Sequence, residues 1–279
     1  MIDVSSRMRL KIATYNVWAV KMGPVHISPM IRERMEAIRE WMATWDADVV
    51  CLQEVWCDSL VEPLHDPRVF PYLCRSGKRG HLRGRFGDGL VILSRYPVRN
   101  FWFTHFHEFT SMEEFWVAKG ALGARIEMTG GDILVVNTHL GAGSSIRHMR
   151  SRLGQIDRLA SFVDGLPKAR DRFVTGDFNF APHTAEYAWL QHAMHTSDGQ
   201  WVDLGAVQDQ PTFDPLRSYA WKTGGRAARI DYVFQQVPTG IILSSCVTTP
   251  ALPTMLSDHH PVIADAELVS HAARLSAVA

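Results

Sequence analysis

Six places along this chain put an acid, an amide or a histidine at one end of a short apolar run. Asn16 follows IATY, Glu54 follows VVCLQ, and Asn137 and His139 follow ILVV. Asp177 and Asn179 follow FVTG, Asp231 sits within RIDYVF, and Asp258 and His259 precede PVIADAEL. Singly, each has an ordinary explanation. An Asn or Asp beside a strand is usually a turn former, and one histidine is more often a hydrogen-bonded structural residue. Glu54 resists that explanation, because a charge after a nearly apolar run needs a partner. Gathered at one edge, these groups make a cluster of hard oxygen donors, which suits magnesium or manganese rather than zinc.

The elements that would gather them are short. Strand-like, β-branched runs read LKIATYN, DVVCLQE, GLVILSRYP, KGALGARIEM, DILVVNTH, RFVTGDFN, RIDYVF and HPVIADAEL. One helix is expected after Ser28 as N-cap, with Ile31, Met35, Ile38, Met42 and Trp45 on its apolar face. A second carries Ile146, Met149, Leu153, Ile156, Ala160 and Val163, with arginines on the opposite face, and a weaker third covers HTAEYAWLQHAM. Strands outnumber helices and often follow one another. That order favours mixed or antiparallel sheets with helices outside, a layered α/β sandwich, over a doubly wound parallel sheet.

The totals narrow the function classes. At 279 residues, 46% hydrophobic and 21% charged, the chain can bury a sizeable core, and a single domain over 1–279 is expected. Lys+Arg and Asp+Glu balance at 29 each, which argues against a protein that grips long nucleic acid by its phosphates. The four cysteines show no CxxC pair, so neither a disulfide framework nor a zinc site is expected. No signal-like apolar segment and no membrane-length run is visible. A soluble, cytoplasmic chain is the default expectation, with signal-free export compatible with the same sequence. Nothing calls for an obligate protein partner.

Taken in order, NVW, LQEVW, NTHL, GDFN, RIDYVF and SDHHPV resemble the motif series of the endonuclease/exonuclease/phosphatase superfamily, the DNase I-like fold. The resemblance runs from about Asn16 to Val262. It implies a four-layer α/β sandwich with two central mixed sheets flanked by helices. It also implies hydrolysis of a phosphodiester by in-line attack of water, with Mg2+ as cofactor and Mn2+ or Co2+ as substitutes. Carried over by position, Glu54 ligates the metal, with Asn16 and Asp258 nearby as direct or water-mediated ligands. Asp177 and Asn179 position the nucleophile and a phosphate oxygen, and His139 stabilises the transition state or assists the leaving group. Asp231 holds the ring of His259; a carboxylate there fixes the tautomer and supports the imidazolium. Whether His259 or Asp177 takes the proton of water stays open. His260 is left as a neighbour without a direct role.

Within that superfamily the local features are most similar to neutral sphingomyelinases. LQEVW continues with a tryptophan, YLCRSGKRGHLRGRFGDGLVILSRYPV resembles their FRSG…GxGLxxFSxxPI stretch, and RSRLGQIDRL places Arg152 and Gln155 as in their helix. EEFWVAKG resembles their DxFxxKG segment, with Glu113 and Glu114 where aspartate is usual. It implies that Lys119 stands near a phosphate, and Asn137 is expected to touch substrate with it. A phospholipid is therefore the expected substrate, with peripheral membrane contact through the aromatics of NFWFTHFHEF and Trp116 as a reading beside plain core packing. The loop RSGKRGHLRGRFGDG, with five Arg/Lys and five Gly, suits solvent, anionic lipid or nucleic acid. A Mg2+-dependent nuclease of the same fold is the main alternative. An inositol phosphate phosphatase is a weaker one, because the tryptophan expected before GDxN is absent. A binding module that had lost its chemistry would lack the metal and histidine positions, which are filled here.

Overall fold

Alternation at period two decides the architecture. The computed structural model describes residues 8–22, 25–26, 28–77, 87–108, 117–195, 199–215, 226–238, 245–250 and 256–268. In β1 (Arg9–Asn16), Leu10 and Ile12 join a core between two sheets, whereas Ala13 and Tyr15 join a core beneath a helix. β4 (Val49–Gln53) does the same, with Val49 and Cys51 inward and Val50 and Leu52 outward. In β9 (Ile133–His139), Ile133 and Val135 face the inter-sheet core, and Leu134 and Val136 face the helices of the other side. Strands apolar on both faces must be covered on both, which sets four layers.

The first sheet also contains β5 (Tyr72–Cys74), β6 (Val91–Ser94), β13 (Ser245–Thr248) and β14 (Val262–Glu267), in the order β13-β14-β1-β4-β6-β5. The second contains β7 (Val98–His105), β8 (Gly120–Ile126), β10 (Asp171–Asp177), β11 (Gln200–Asp203) and β12 (Asp231–Val237), in the order β11-β12-β10-β9-β8-β7. A two-stranded ribbon, β2 (Lys21–Met22) with β3 (Val25–His26), stands apart. Both large sheets are mixed: β1 runs parallel to β4 and β9 parallel to β10, with the other pairs antiparallel. Helix α1 (Ile31–Met42), followed by the single turn α2 (Val61–Leu64), covers the first sheet. Helices α3 (Ile146–Gly165) and α4 (Ala185–Ala193) cover the second. This is the sandwich expected from the sequence.

Two local expectations are corrected. Ser28 does not cap α1: its hydroxyl accepts from Val20 N and donates to Val20 O, and Met30 enters the helix in a left-handed conformation (φ 41°). In α3 the arginines are not confined to the outer face. Arg152 is buried against Glu186 at 2.8 Å and donates to the carbonyls of Gly141 and Gly143, while Ile146 is 67% exposed. Of the aromatic stretch, Phe106 is buried and Phe101 is 53% exposed, with Trp102 and Phe103 half-buried against the cores. Phe109, Glu113, Glu114, Trp116 and most of the basic loop lie outside the described residues. No helix among the described residues is long and apolar enough to cross a membrane.

Asn137, expected to touch substrate, instead ties the two sheets together. Its amide donates to Leu52 O (2.9 Å) and Val91 O (3.0 Å) and accepts from Gln53 Nε2 (2.7 Å), and it is fully buried. An apolar replacement would strand three buried polar groups at a cost of about 2–3 kcal/mol. Asn137→Leu is therefore expected to lower Tm by about 5–10 °C in a thermal melt. An unchanged melt with a raised KM would return Asn137 to the substrate.

Candidate active site

The period that fills the core also aims the polar residues. Positions 10, 12, 14 and 16 of β1 share one face, and that face reads Leu, Ile, Thr, Asn. In β9 the inward positions after Ile133 and Val135 are Asn137 and His139. In β10, Phe173 is followed inward by Thr175 and Asp177; β12 runs the other way and begins with Asp231 before Val233. The parallel pairs β1/β4 and β9/β10 finish at the same end, so the seam between the sheets closes on apolar residues and opens on Asn16, His139, Asp177 and Asp231.

Gly176 allows the last step in β10. It has φ 144°, and a Cβ there would lie 1.9 Å from Thr138 O, so any side chain would force β10 away from β9 just before Asp177. Glu54 (φ 64°) and Asn179 (φ 55°) are also left-handed, a conformation that costs energy in these residues and concentrates at functional sites.

The side chains meet. Asn16 Nδ2 donates to Glu54 Oε1 and to Asp177 Oδ2, both at 3.0 Å. Its oxygen accepts from Trp18 N at 2.9 Å, so it is the amide nitrogen that faces Glu54 and Asp177. In this arrangement Asn16 orients two carboxylates. Asp177 Oδ1 accepts from Asn179 N at 2.9 Å, and Asn179 Nδ2 donates to Leu140 O. Asp177 Oδ2 lies 3.4 Å from His139 Nε2 and 3.7 Å from His259 Nε2. His259 Nδ1 stands 2.9 Å from Asp231 Oδ2. Lys119 Nζ reaches His139 Nε2 at 3.1 Å and donates to Leu140 O. Asp258 is buried one residue before His259, with Ser257 Oγ near its carboxylate.

Electrostatics separates the two histidines. Burial works against the His259 imidazolium, but Asp231, Asp177 and Asp258 outweigh it and hold its pKa up at about 10. Burial, then the charges of Lys119 and His259, push His139 well below its ordinary value, so it is neutral. Burial, then Asp231, raises the Asp177 carboxyl, and burial also raises Asp258. The edge thus holds one cationic and one neutral imidazole on either side of a carboxylate that is costly to charge.

Several supporting residues surround these groups, and apart from Trp56 they carry no strong signal in the sequence. Thr212 Oγ1 donates to Asp231 Oδ2 at 2.6 Å and accepts from the backbone of Ile230 and Asp231. Phe213 packs its ring 5.1 Å from that of His259, and Trp56, in LQEVW, stands 5.9 Å from His139. Arg34, buried on α1, donates to the carbonyls of Pro29, Val17, Trp18 and Leu256, which clamps the loops after Asn16 and before Asp258. His260 contributes its backbone, donating to Thr212 O.

A family model described as Endonuclease/Exonuclease/phosphatase family matches residues 13–259. The chain belongs to that family. As a member it is a phosphoester hydrolase, and the converged edge just described lies wholly within the matched span. The Escherichia coli protein YbhP is 27% identical over 249 residues, covering 83% of this chain and 87% of that one. A putative neutral sphingomyelinase of Drosophila melanogaster is 25% identical over 239 residues, covering 81% of this chain and 52% of that one. The solved structure of a beta toxin mutant from Staphylococcus aureus with bound magnesium ions superposes with a TM-score of 0.73 at 19% identity, covering 93% of this chain and 100% of that one. That likeness confirms the DNase I-like sandwich.

The donor set of this family member fits a divalent cation. Asp177, Asp231 and His259 bring potential ligand atoms within 4.8 Å of one another, and Glu54 stands one amide away from Asp177. Carboxylates outnumber the facing cations Lys119 and His259, an imbalance that a hard divalent ion relieves. The carboxylates are the hard oxygen donors of this set, and the His259 ring is engaged at Nδ1 by Asp231.

Thr212 then has a measurable role. Thr212→Val removes a hydrogen bond to a charged acceptor, about 1.5 kcal/mol, so kcat is expected to fall about 10-fold. KM and metal affinity should hold. A change confined to KM would remove Thr212 from the positioning of Asp231.

Proposed function

We propose that the chain is a magnesium-dependent phosphodiesterase of the phospholipase C type, releasing a phosphorylated head group such as phosphocholine from a sphingolipid. The observation that carries the chemistry is the His259–Asp231 pair at 2.9 Å, facing Asp177 at 3.7 Å on the same edge as Glu54.

Glu54 would hold the ion, with Asn16 setting its carboxylate and Asp258 reaching it directly or through water. Bound there, magnesium would neutralise the phosphate and the charge developing on the leaving oxygen. Asp231 and Thr212 fix the His259 ring so that Nε2 faces Asp177 Oδ2. The proton of the attacking water passes to that Asp177–His259 pair. Asn179, held by Asp177 and Leu140, offers its amide to a phosphate oxygen. Cationic Lys119, which donates to His139 Nε2 and Leu140 O, supplies a further donor on the opposite flank, and neutral His139 adds no second imidazolium.

The sphingolipid reading is supported by the similarity to a protein named a putative neutral sphingomyelinase and by the motifs that continue past the shared family set. Equal numbers of basic and acidic residues support it against a nucleic-acid hydrolase. The test is phosphocholine release from sphingomyelin vesicles with magnesium or EDTA, run beside a plasmid and a single-stranded oligonucleotide. Magnesium-dependent release from vesicles is expected. Cut nucleic acid with intact sphingomyelin would replace the substrate and keep the edge.

A further inference from the structure

The end of β7 carries a feature that phosphodiester chemistry does not use. His105 ends β7 and His107 follows it two residues on, with the two rings against each other. Their Nδ1 atoms stand 3.2 Å apart, with ring centroids 4.8 Å apart and planes at 77°. We propose that this pair is a binding site for a divalent transition ion of the nickel, cobalt, copper or zinc type, separate from the magnesium edge.

Metal–imidazole bonds measure about 2.0–2.1 Å, so two such nitrogens on one ion lie about 2.9–3.4 Å apart at right or tetrahedral angles. The observed spacing falls in that window. Imidazole nitrogens select these ions over magnesium, which takes oxygen. The segment is also held in place beforehand. His107 N donates to Glu108 Oε2, whose carboxylate pairs with Arg158, and Glu108 O accepts from Ser151 Oγ and Gln155 Nε2. His107 is exposed, which gives an ion access, and water would complete the coordination shell. His105 pairs across the sheet with Gly120, next to Lys119, so the ion would sit at the margin of the active site. The competing explanation is a single N–H donated from one ring to the other.

Titration separates the two. Tag-free protein stripped with EDTA and held in excess magnesium is titrated with nickel chloride by calorimetry. The wild-type chain is expected to bind one equivalent of nickel. His107→Gln, an exposed position whose melting temperature should not move, is expected to weaken that event by at least about 10-fold, and His259→Ala should retain it. Nickel binding unchanged in His107→Gln would overturn the site, as would its loss in His259→Ala, which would place the ion at the catalytic edge.

Discussion

His259→Ala is expected to cut kcat by about 10³-fold, within the range that a positioned acid–base group contributes. The basis is geometric. Nδ1 of His259 is held by Asp231 at 2.9 Å and Nε2 faces Asp177 at 3.7 Å, so no other described imidazole can take its place in that line. His139 is the second histidine at the edge and stands 3.4 Å from Asp177, but its Nε2 also faces Lys119 and it is neutral. Magnesium affinity should survive, because Glu54 and the other carboxylates of the edge stay in place. Asp231→Asn should show a smaller loss, since the ring stays in place with its charge less supported. A magnesium titration of the variants checks the separation. Near-normal turnover in His259→Ala would remove it from the chemistry.

Glu54→Gln is expected to fail in a different way. The substitution keeps the side-chain shape and the bond from Asn16 but removes the charge proposed to hold the ion. Outer-shell partners of a metal are worth about 10–100-fold in affinity, and the loss of a direct carboxylate should exceed that. Activity at low magnesium should vanish and return in part as the magnesium concentration rises. That recovery separates a metal ligand from an acid–base group, because added magnesium should do nothing for His259→Ala. Equal magnesium dependence in Glu54→Gln and the wild-type chain would move the ion elsewhere.

Much of this edge is legible in the sequence because one period governs both burial and chemistry. Leu10, Ile12, Thr14 and Asn16 share a face, as do Ile133, Val135, Asn137 and His139, so an apolar run that turns polar at its end marks the mouth of the seam. The same pattern misleads at Asn137, one step deeper than His139, where a polar residue ties the sheets instead of meeting substrate. Short strands are harder to read: Tyr72–Cys74, Gln200–Asp203 and Ser245–Thr248 have too few residues to show alternation. The residues that hold the site in place are the least visible. Arg34 reaches Leu256 across 222 positions, and Thr212, in no motif of its own, reaches Asp231 across 19. Their roles follow from folded proximity, which residue type and spacing do not encode.

The most direct test of the central claim is the fate of water's oxygen. Sphingomyelin vesicles are incubated with the protein and magnesium in ¹⁸O-enriched water, and the released head group is weighed by mass spectrometry. Attack of water on phosphorus at this edge predicts phosphocholine carrying one ¹⁸O, with the product absent in EDTA and reduced about 10³-fold in His259→Ala. Unlabelled phosphocholine, or labelled product formed equally well in EDTA or by His259→Ala, would contradict it.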